Sequence, residues 1–298
     1  MLWRNKEECG RYLANHAVAA LINEAKLTPK PGLVDLKTSG SHTDMDVHLM
    51  IKSARSLHVF FEEMGRVSYR KRPCQQLREQ LSCIGREAEQ AMLHATGGVN
   101  THRGAIWALG LLIAGAAICE NTHSPAEIAA AAGCIARFPD RYIPQRSSNG
   151  EIVRQKYGVS GARAEAMNSF PHVVRIGIPA LQFYRQQGNP EQHVRLNTLL
   201  AIMASLDDTC LLHRGGMETL VAVKKAASQI LDSGGTYSVD GWKRLGQLSI
   251  ELENRNASPG GSADLLAAVL FLDALSPYSL QSIDAQGDEH DATIDVLI

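Results

Sequence analysis

Residues 105–119, AIWALGLLIAGAAIC, decide the fold of this chain. They are small and apolar nearly all round, with no proline and no charge. Such a stretch is a helix without a polar face, and a helix of that kind is buried among other elements. It is too short to span a bilayer, which needs about 20 residues. Outward from it the periodicity stays helical. Tyr12, Leu13, Ala17, Ala20, Leu21 and Ala25 form one face of a first helix, stopped by Pro29 and Pro31. Thr43 or Asp44 is placed to cap a second helix running from Val47 to Phe60, and a third spans about Gln75 to Ala95. Ser124-Pro125-Ala126-Glu127 opens another. Further helices are expected at 171–185, 191–206, 216–231, 239–252 and 259–275. No sustained alternation marks a strand. The expectation is one all-α domain over residues 1–298, with a polar, mobile segment at 137–170 and a frayed tail at 276–298.

Composition excludes several function classes. With 30 Lys and Arg against 31 Asp and Glu, the net charge of −1 offers no field for nucleic acid or an anionic membrane. Aromatic residues at 5% are too few for a base-stacking platform. The six cysteines are scattered without a C-x-x-C pair, and the first residues do not read as a signal peptide. A cytoplasmic protein with free thiols is expected.

Chemistry concentrates in four glycine-punctuated segments beside apolar helical runs. In LTPKPGLVDLKTSGSHTDMD (27–46), Lys30 projects from a stiff double-proline turn as a phosphate contact, and His42, Asp44 and Asp46 offer a cation site that competes with helix capping. In GGVNTHRG (97–104), Gly97 and Gly98 allow close backbone approach, Asn100 and Thr101 can cap the next helix, and His102 or Arg103 can face its positive pole. The spacing is not that of a P-loop. In DDTCLLHRGG (207–216), Asp207 and Asp208 read as the end of a helix, where a carboxylate asks for a metal or for Arg214. In NASPGGSADL (256–265), Asp264 leads straight into an apolar run and is the foremost metal-ligand candidate. Each segment has a plain alternative: capped turns, and an Asp208–Arg214 salt bridge.

Taken together, LTPKPGLVD, TGGVNTHRGAIWALGLL, YGVSGARAEA, DTCLLHRGG and RNASPGGSADLLA resemble the triphosphoribosyl-dephospho-CoA synthases, in order, from about Ala19 to Leu275. The resemblance implies an all-helical enzyme using ATP and 3′-dephospho-CoA. It would release adenine and form the prosthetic-group precursor for an acyl carrier subunit. HTDMD and LDDT look more like the malonate decarboxylase branch than the citrate lyase branch. The family commonly carries Asn where this chain has Cys210 and often Gly where it has Ala164. The resemblance implies Asp44, Asp208 and Asp264 as Mg²⁺ ligands or base, with Glu165 a second base. Lys30, Arg103, Arg163 and Arg214 would take phosphates, and Gly97, Gly98, Asn100, His102, Ser258, Gly260 and Gly261 would line the nucleotide sites. A holo-acyl-carrier-protein synthase and a carrier subunit would be functional partners, with a homodimer permitted. Two rivals stay open: a Mg²⁺-dependent ADP-ribosyl hydrolase-like enzyme using water, and a non-catalytic carrier of the precursor.

Overall fold

The computed structural model describes residues 3–119, 124–143 and 149–276. Thirteen α-helices follow one another among them, with no strand: α1 Lys6–Lys26, α2 Val47–Ser56, α3 His58–Ser68, α4 Gln75–Ala95, α5 Arg103–Ile118, α6 Pro125–Ala136, α7 Asn149–Tyr157, α8 Gly161–Met167, α9 Ile178–Gln186, α10 Glu191–Ser205, α11 Thr209–Asp232, α12 Val239–Asn254 and α13 Gly260–Ala274. A π-helical turn, Val173–Gly177, leads into α9. The all-α expectation holds.

The run at 105–119 is the hub. Side chains of α5 are buried along almost its whole length, and it packs against α3, α6, α13, α1 and α4. The other helix buried nearly all round is α13, which lies against both α1 and α5. Small residues set how closely these axes approach. A Cβ on Gly10 would strike the carbonyl oxygen of Glu62, and one on Gly65 would stand 2.9 Å from the Cα of Gly10, so α1 and α3 touch backbone to backbone. A second, small cluster of Ala25, Val34 and Met50 pins the long loop after α1 to α2.

Several boundaries differ from the periodicity. The expected helix from Val47 to Phe60 is two helices, broken at Leu57, and its cap is Asp46, whose Oδ1 accepts from the Leu49 N–H at 2.8 Å. Asp208 does not end a helix; it caps the start of α11. That helix bends at Gly216, where φ is 71° and the chain makes a second helical start inside the HRGG motif. The polar segment at 137–170 holds two short helices, α7 and α8, while the tail from 277 onward lies outside the described residues. No helix among the described residues is long and apolar enough to cross a membrane.

The close crossing yields a paired test. Gly10→Ala should lower unfolding stability by roughly 1–3 kcal/mol through overpacking. Gly246→Ala, within α12 and with nothing within 4 Å of the added carbon, should raise it by roughly 0.5–1 kcal/mol through helix propensity. Urea titrations followed by circular dichroism measure both; equal effects of one sign would contradict the close-packed crossing.

Candidate active site

Three helix N-termini, those of α5, α11 and α13, meet around two buried carboxylates. Asp208 is 1% exposed. Its Oδ1 accepts from the N–H of Cys210 at 2.8 Å, of Leu211 at 3.4 Å and of Gly261 at 3.3 Å. Its Oδ2 accepts from the N–H and the hydroxyl of Ser262, at 2.8 and 2.9 Å. One side chain thus satisfies the orphan donors of α11 and α13 together. Burial pushes its pKa up, against the pull of the Ser262, Cys210 and Leu211 donors. Gly260 and Gly261 permit the approach: a Cβ on Gly261 would lie 3.0 Å from Asp208 Oδ1, and one on Gly260 3.1 Å from Cys210 Sγ.

Two residues beyond Ser262, Asp264 reaches the start of α5. Its carboxylate lies against Gly104, where any side chain would collide with Oδ2. The Ala105 N–H supports it. The residue keeps some accessible surface, yet its carboxyl is deep enough that burial dominates. Burial, then the nearby charges of Asp208 and Glu24, push its pKa well above the usual carboxylate range. Cys210 sits beside the same two aspartates. Burial and their charges raise its thiol well above the ordinary value, so it stays protonated and is no nucleophile.

Glu24, which the motif reading passed over, completes the buried acids. It is 3% exposed and forms a buried ion pair with Lys30, whose Nζ also donates to the Glu24 carbonyl oxygen at 2.7 Å. The sequence held a signal for it: Glu24 follows Ala17, Ala20 and Leu21 on the apolar face of α1, where an acid needs a partner. Lys30, expected to meet phosphate at the surface, is instead 3% exposed and turned inward. Asp35 shapes its turn, accepting from the N–H groups of Lys30, Lys37 and Thr38 at 2.7 to 2.9 Å.

His102 lies close to Lys30. It is 3% exposed, its Nδ1 is 2.8 Å from Ser53 Oγ, and its Nε2 has no hydrogen-bond partner. Burial, with the Lys30 charge second, lowers its pKa to about 3, so the ring is neutral. Ser53 also meets Thr101 at 2.6 Å, fastening α2 to the loop before α5. Asn100 Oδ1 accepts from the Arg103 N–H at 3.3 Å. Gly97 and Gly98 have φ of 67° and 96°, with open space on the side where a Cβ would stand. Their N–H groups are not free for an anion. They close the end of α4, donating to the carbonyls of His94 at 3.4 Å and Leu93 at 2.7 Å.

The remaining expected residues lie around the rim. Ser258 Oγ is 3.0 Å from His42 Nε2, and the Ser41 hydroxyl donates to the Ala257 carbonyl at 2.7 Å, tying the first loop to the last. Arg214 donates to the Ser41 carbonyl at 3.3 Å and stands 3.4 Å from His42 Nδ1. It does not pair with Asp208. Burial, then Arg214, lower the pKa of His42, with Asp44 opposing. Asp44 is largely exposed, 3.8 Å from His42, and is not brought to the other aspartates. Glu165 is occupied by His172, accepting from its N–H at 2.9 Å and lying 2.7 Å from its Nδ1, an arrangement that raises the histidine's pKa. Arg163 is exposed on α8. Among the described residues no three of His, Cys, Asp and Glu converge as a metal-holding group.

A family model described as CitG, ATP:dephospho-CoA triphosphoribosyl transferase, matches residues 10–282. Proteins named "Probable 2-(5''-triphosphoribosyl)-3'-dephosphocoenzyme-A synthase" are similar along nearly their whole length. The one from Azotobacter vinelandii is 50% identical, covering 89% of this chain and 91% of the relative. That from Pseudomonas fluorescens is 50% identical over 88% and 91%, and that from Pseudomonas aeruginosa strain UCBPP-PA14 is 50% identical over 92% and 94%. No solved structure matches. The chain belongs to the ATP:dephospho-CoA triphosphoribosyl transferase family.

The geometry at Asp264 predicts opposite effects on stability and turnover. A carboxyl whose pKa is raised on folding favours the folded state below its unfolded pKa, about 4, and loses that contribution as pH rises through the folded value. Asp264→Asn, neutral at every pH, should therefore melt higher than the unsubstituted chain at pH 7–8. The gain should vanish towards pH 4, while turnover falls by roughly 10²-fold or more. Thermal melts across pH, paired with an adenine-release assay, check this; a lower melting point at pH 8 would contradict it.

Proposed function

We propose that the chain transfers the 5-triphosphoribosyl group of ATP to the 2′-hydroxyl of 3′-dephospho-CoA, releasing adenine. Supporting this is membership of the family across residues 10–282, together with one buried carboxyl, Asp264, at the meeting of three helix N-termini. The 2′-oxygen forms a bond to C1′ of the ATP ribose as the C1′–N9 bond breaks with oxocarbenium-like character. Adenine leaves with that electron pair and takes up a proton, balancing the one lost by the hydroxyl.

Asp264 is the group we assign to accept the hydroxyl proton. Its raised pKa brings it toward the working pH, where a general base is most effective. Asp208 has a different task here. Its oxygens are taken by five donors, so it fixes α11 and α13 and through them the position of Asp264. Mg²⁺ is expected with a triphosphate. It commonly binds through one or two carboxylates plus substrate phosphates, so a preformed three-ligand group is not required. Asp264 fits as the protein ligand, since among the described residues its carboxyl meets a single backbone donor, the Ala105 N–H; Asp208, saturated, fits less well. Bound there, the ion would neutralise phosphate charge.

We further assign the product to the acyl carrier subunit of malonate decarboxylase, on the HTDMD and LDDT sequences, with citrate lyase the alternative destination. A cytoplasmic setting accords with six free cysteines. With ATP, Mg²⁺ and dephospho-CoA, mass spectrometry should find adenine and a triphosphoribosyl adduct in equal amounts. CoA, whose 3′-phosphate crowds the 2′-hydroxyl, should be inactive. Free ribose triphosphate without an adduct would instead make water the acceptor.

A further inference from the structure

Four arginines lie on α4, on the first turn of α5 and on α8. Arg103 opens α5, Arg78 and Arg86 lie eight residues apart along α4, and Arg163 stands on α8, which packs on α5. Two have carboxylate partners: Arg103 is 3.0 Å from Glu89, and Arg86 donates to Asp140 at 2.7 Å. Arg78 has none in contact among the described residues. Its guanidinium donates to the Ser82 hydroxyl and lies 5.9 Å from the centre of the Trp107 ring, while its Nε is buried and unpartnered. Arg163 makes no ion pair among the described residues. Arg86 and Arg163 both act on Arg78 as like charges, against Asp140 alone. Guanidiniums gathered beyond their carboxylates repel one another unless an anion joins them.

The cluster is held rather than loose. Trp107 is wedged over Gly85 of α4, where a Cβ would lie 2.9 Å from the ring, and its Nε1 donates to Glu89. The same Glu89 holds Arg103. The strip also connects to the acids. Gly104, against which Asp264 packs, adjoins Arg103, and Trp107 follows one turn later, about 6 Å along the axis.

We infer that Arg78 and Arg163, backed by Arg86 and Arg103, form the subsite for the triphosphate tail of the nucleotide, with the ribose towards Asp264. This rests on the triphosphoribosyl-transfer reading. A triphosphate suits the strip better than the pyrophosphate diester of dephospho-CoA. It carries more charge, and its terminal phosphate offers three oxygens to paired guanidinium forks. Lys30, turned to Glu24, and Arg214, tied to Ser41 and His42, leave that task to these arginines.

Calorimetric titration of the full chain with inorganic tripolyphosphate, and separately with dephospho-CoA, tests the assignment. Arg163→Gln, at an exposed helical position, and Arg78→Gln should each weaken tripolyphosphate binding about tenfold or more, the loss of one charge-assisted contact. Dephospho-CoA affinity should stay unchanged. Arg78→Lys, which keeps the charge but not the fork, should fall between. Unchanged tripolyphosphate binding in Arg163→Gln, no binding by the unsubstituted chain, or loss of dephospho-CoA binding instead would each overturn the subsite. If the arginine variants behave as expected while ATP plus dephospho-CoA yields no adenine, the subsite stands and the transfer reading falls. Adenine release with an unchanged KM for ATP in both variants would refute the subsite alone.

Discussion

The carboxylate of Asp208 closes the N-termini of two helices at once, and the placement of the other polar groups follows from that bond set. Without it, the first turns of α11 and α13 would face each other with unsatisfied N–H groups, each costing about 1–3 kcal/mol when buried. Because both helices must crowd one carboxylate, positions 260 and 261 carry no side chain that could intervene. The same contact fixes where α13 begins. That in turn carries Asp264 to the start of α5, where Gly104 leaves room for its carboxyl. α5 can serve as the fixed point because it is buried nearly throughout.

The site is under electrostatic tension. Asp208 and Glu24 each act on Asp264 as like charges, and Lys30 pairs with Glu24. Burial and mutual repulsion favour the protonated form of Asp264. Such groups lower stability and are kept where function needs them. Across α5 the sign reverses, with arginines exceeding their carboxylates. On the proposed transfer reading, a polyanion at the arginines and its cation at the acids would relieve both.

Much of the fold was legible from sequence because apolar periodicity reports burial directly. Residues 105–119 announced a central helix, and 75–95 matched α4 to the residue. The errors came where polar residues have two readings. Asp208 between two helical runs is consistent with an end or a start, and only the partner helix, 54 residues on, decides it. A single apolar stripe hid the break at Leu57. Glycine and charge marked four loops, but not the bonds that their residues make in the fold. Gly97 and Gly98 close α4, and Lys30 points inward because a buried acid six residues earlier claims it. Arg78 and Arg86 carried no motif at all. Their meaning depends on α8 and Trp107 arriving from elsewhere in the chain, which periodicity along one helix does not encode.

The central claim is that Asp264 is a buried, proton-holding carboxyl that gives up its proton when the triphosphate substrate and its cation arrive. Infrared difference spectroscopy between the unsubstituted chain and Asp264→Asn reads that group directly. The account predicts a protonated carboxyl band at pH 6 in the free protein, absent from the variant, which converts to the carboxylate form when ATP and Mg²⁺ are added. A carboxylate signal from Asp264 in the free protein at pH 6, unaltered by ATP and Mg²⁺, would contradict it.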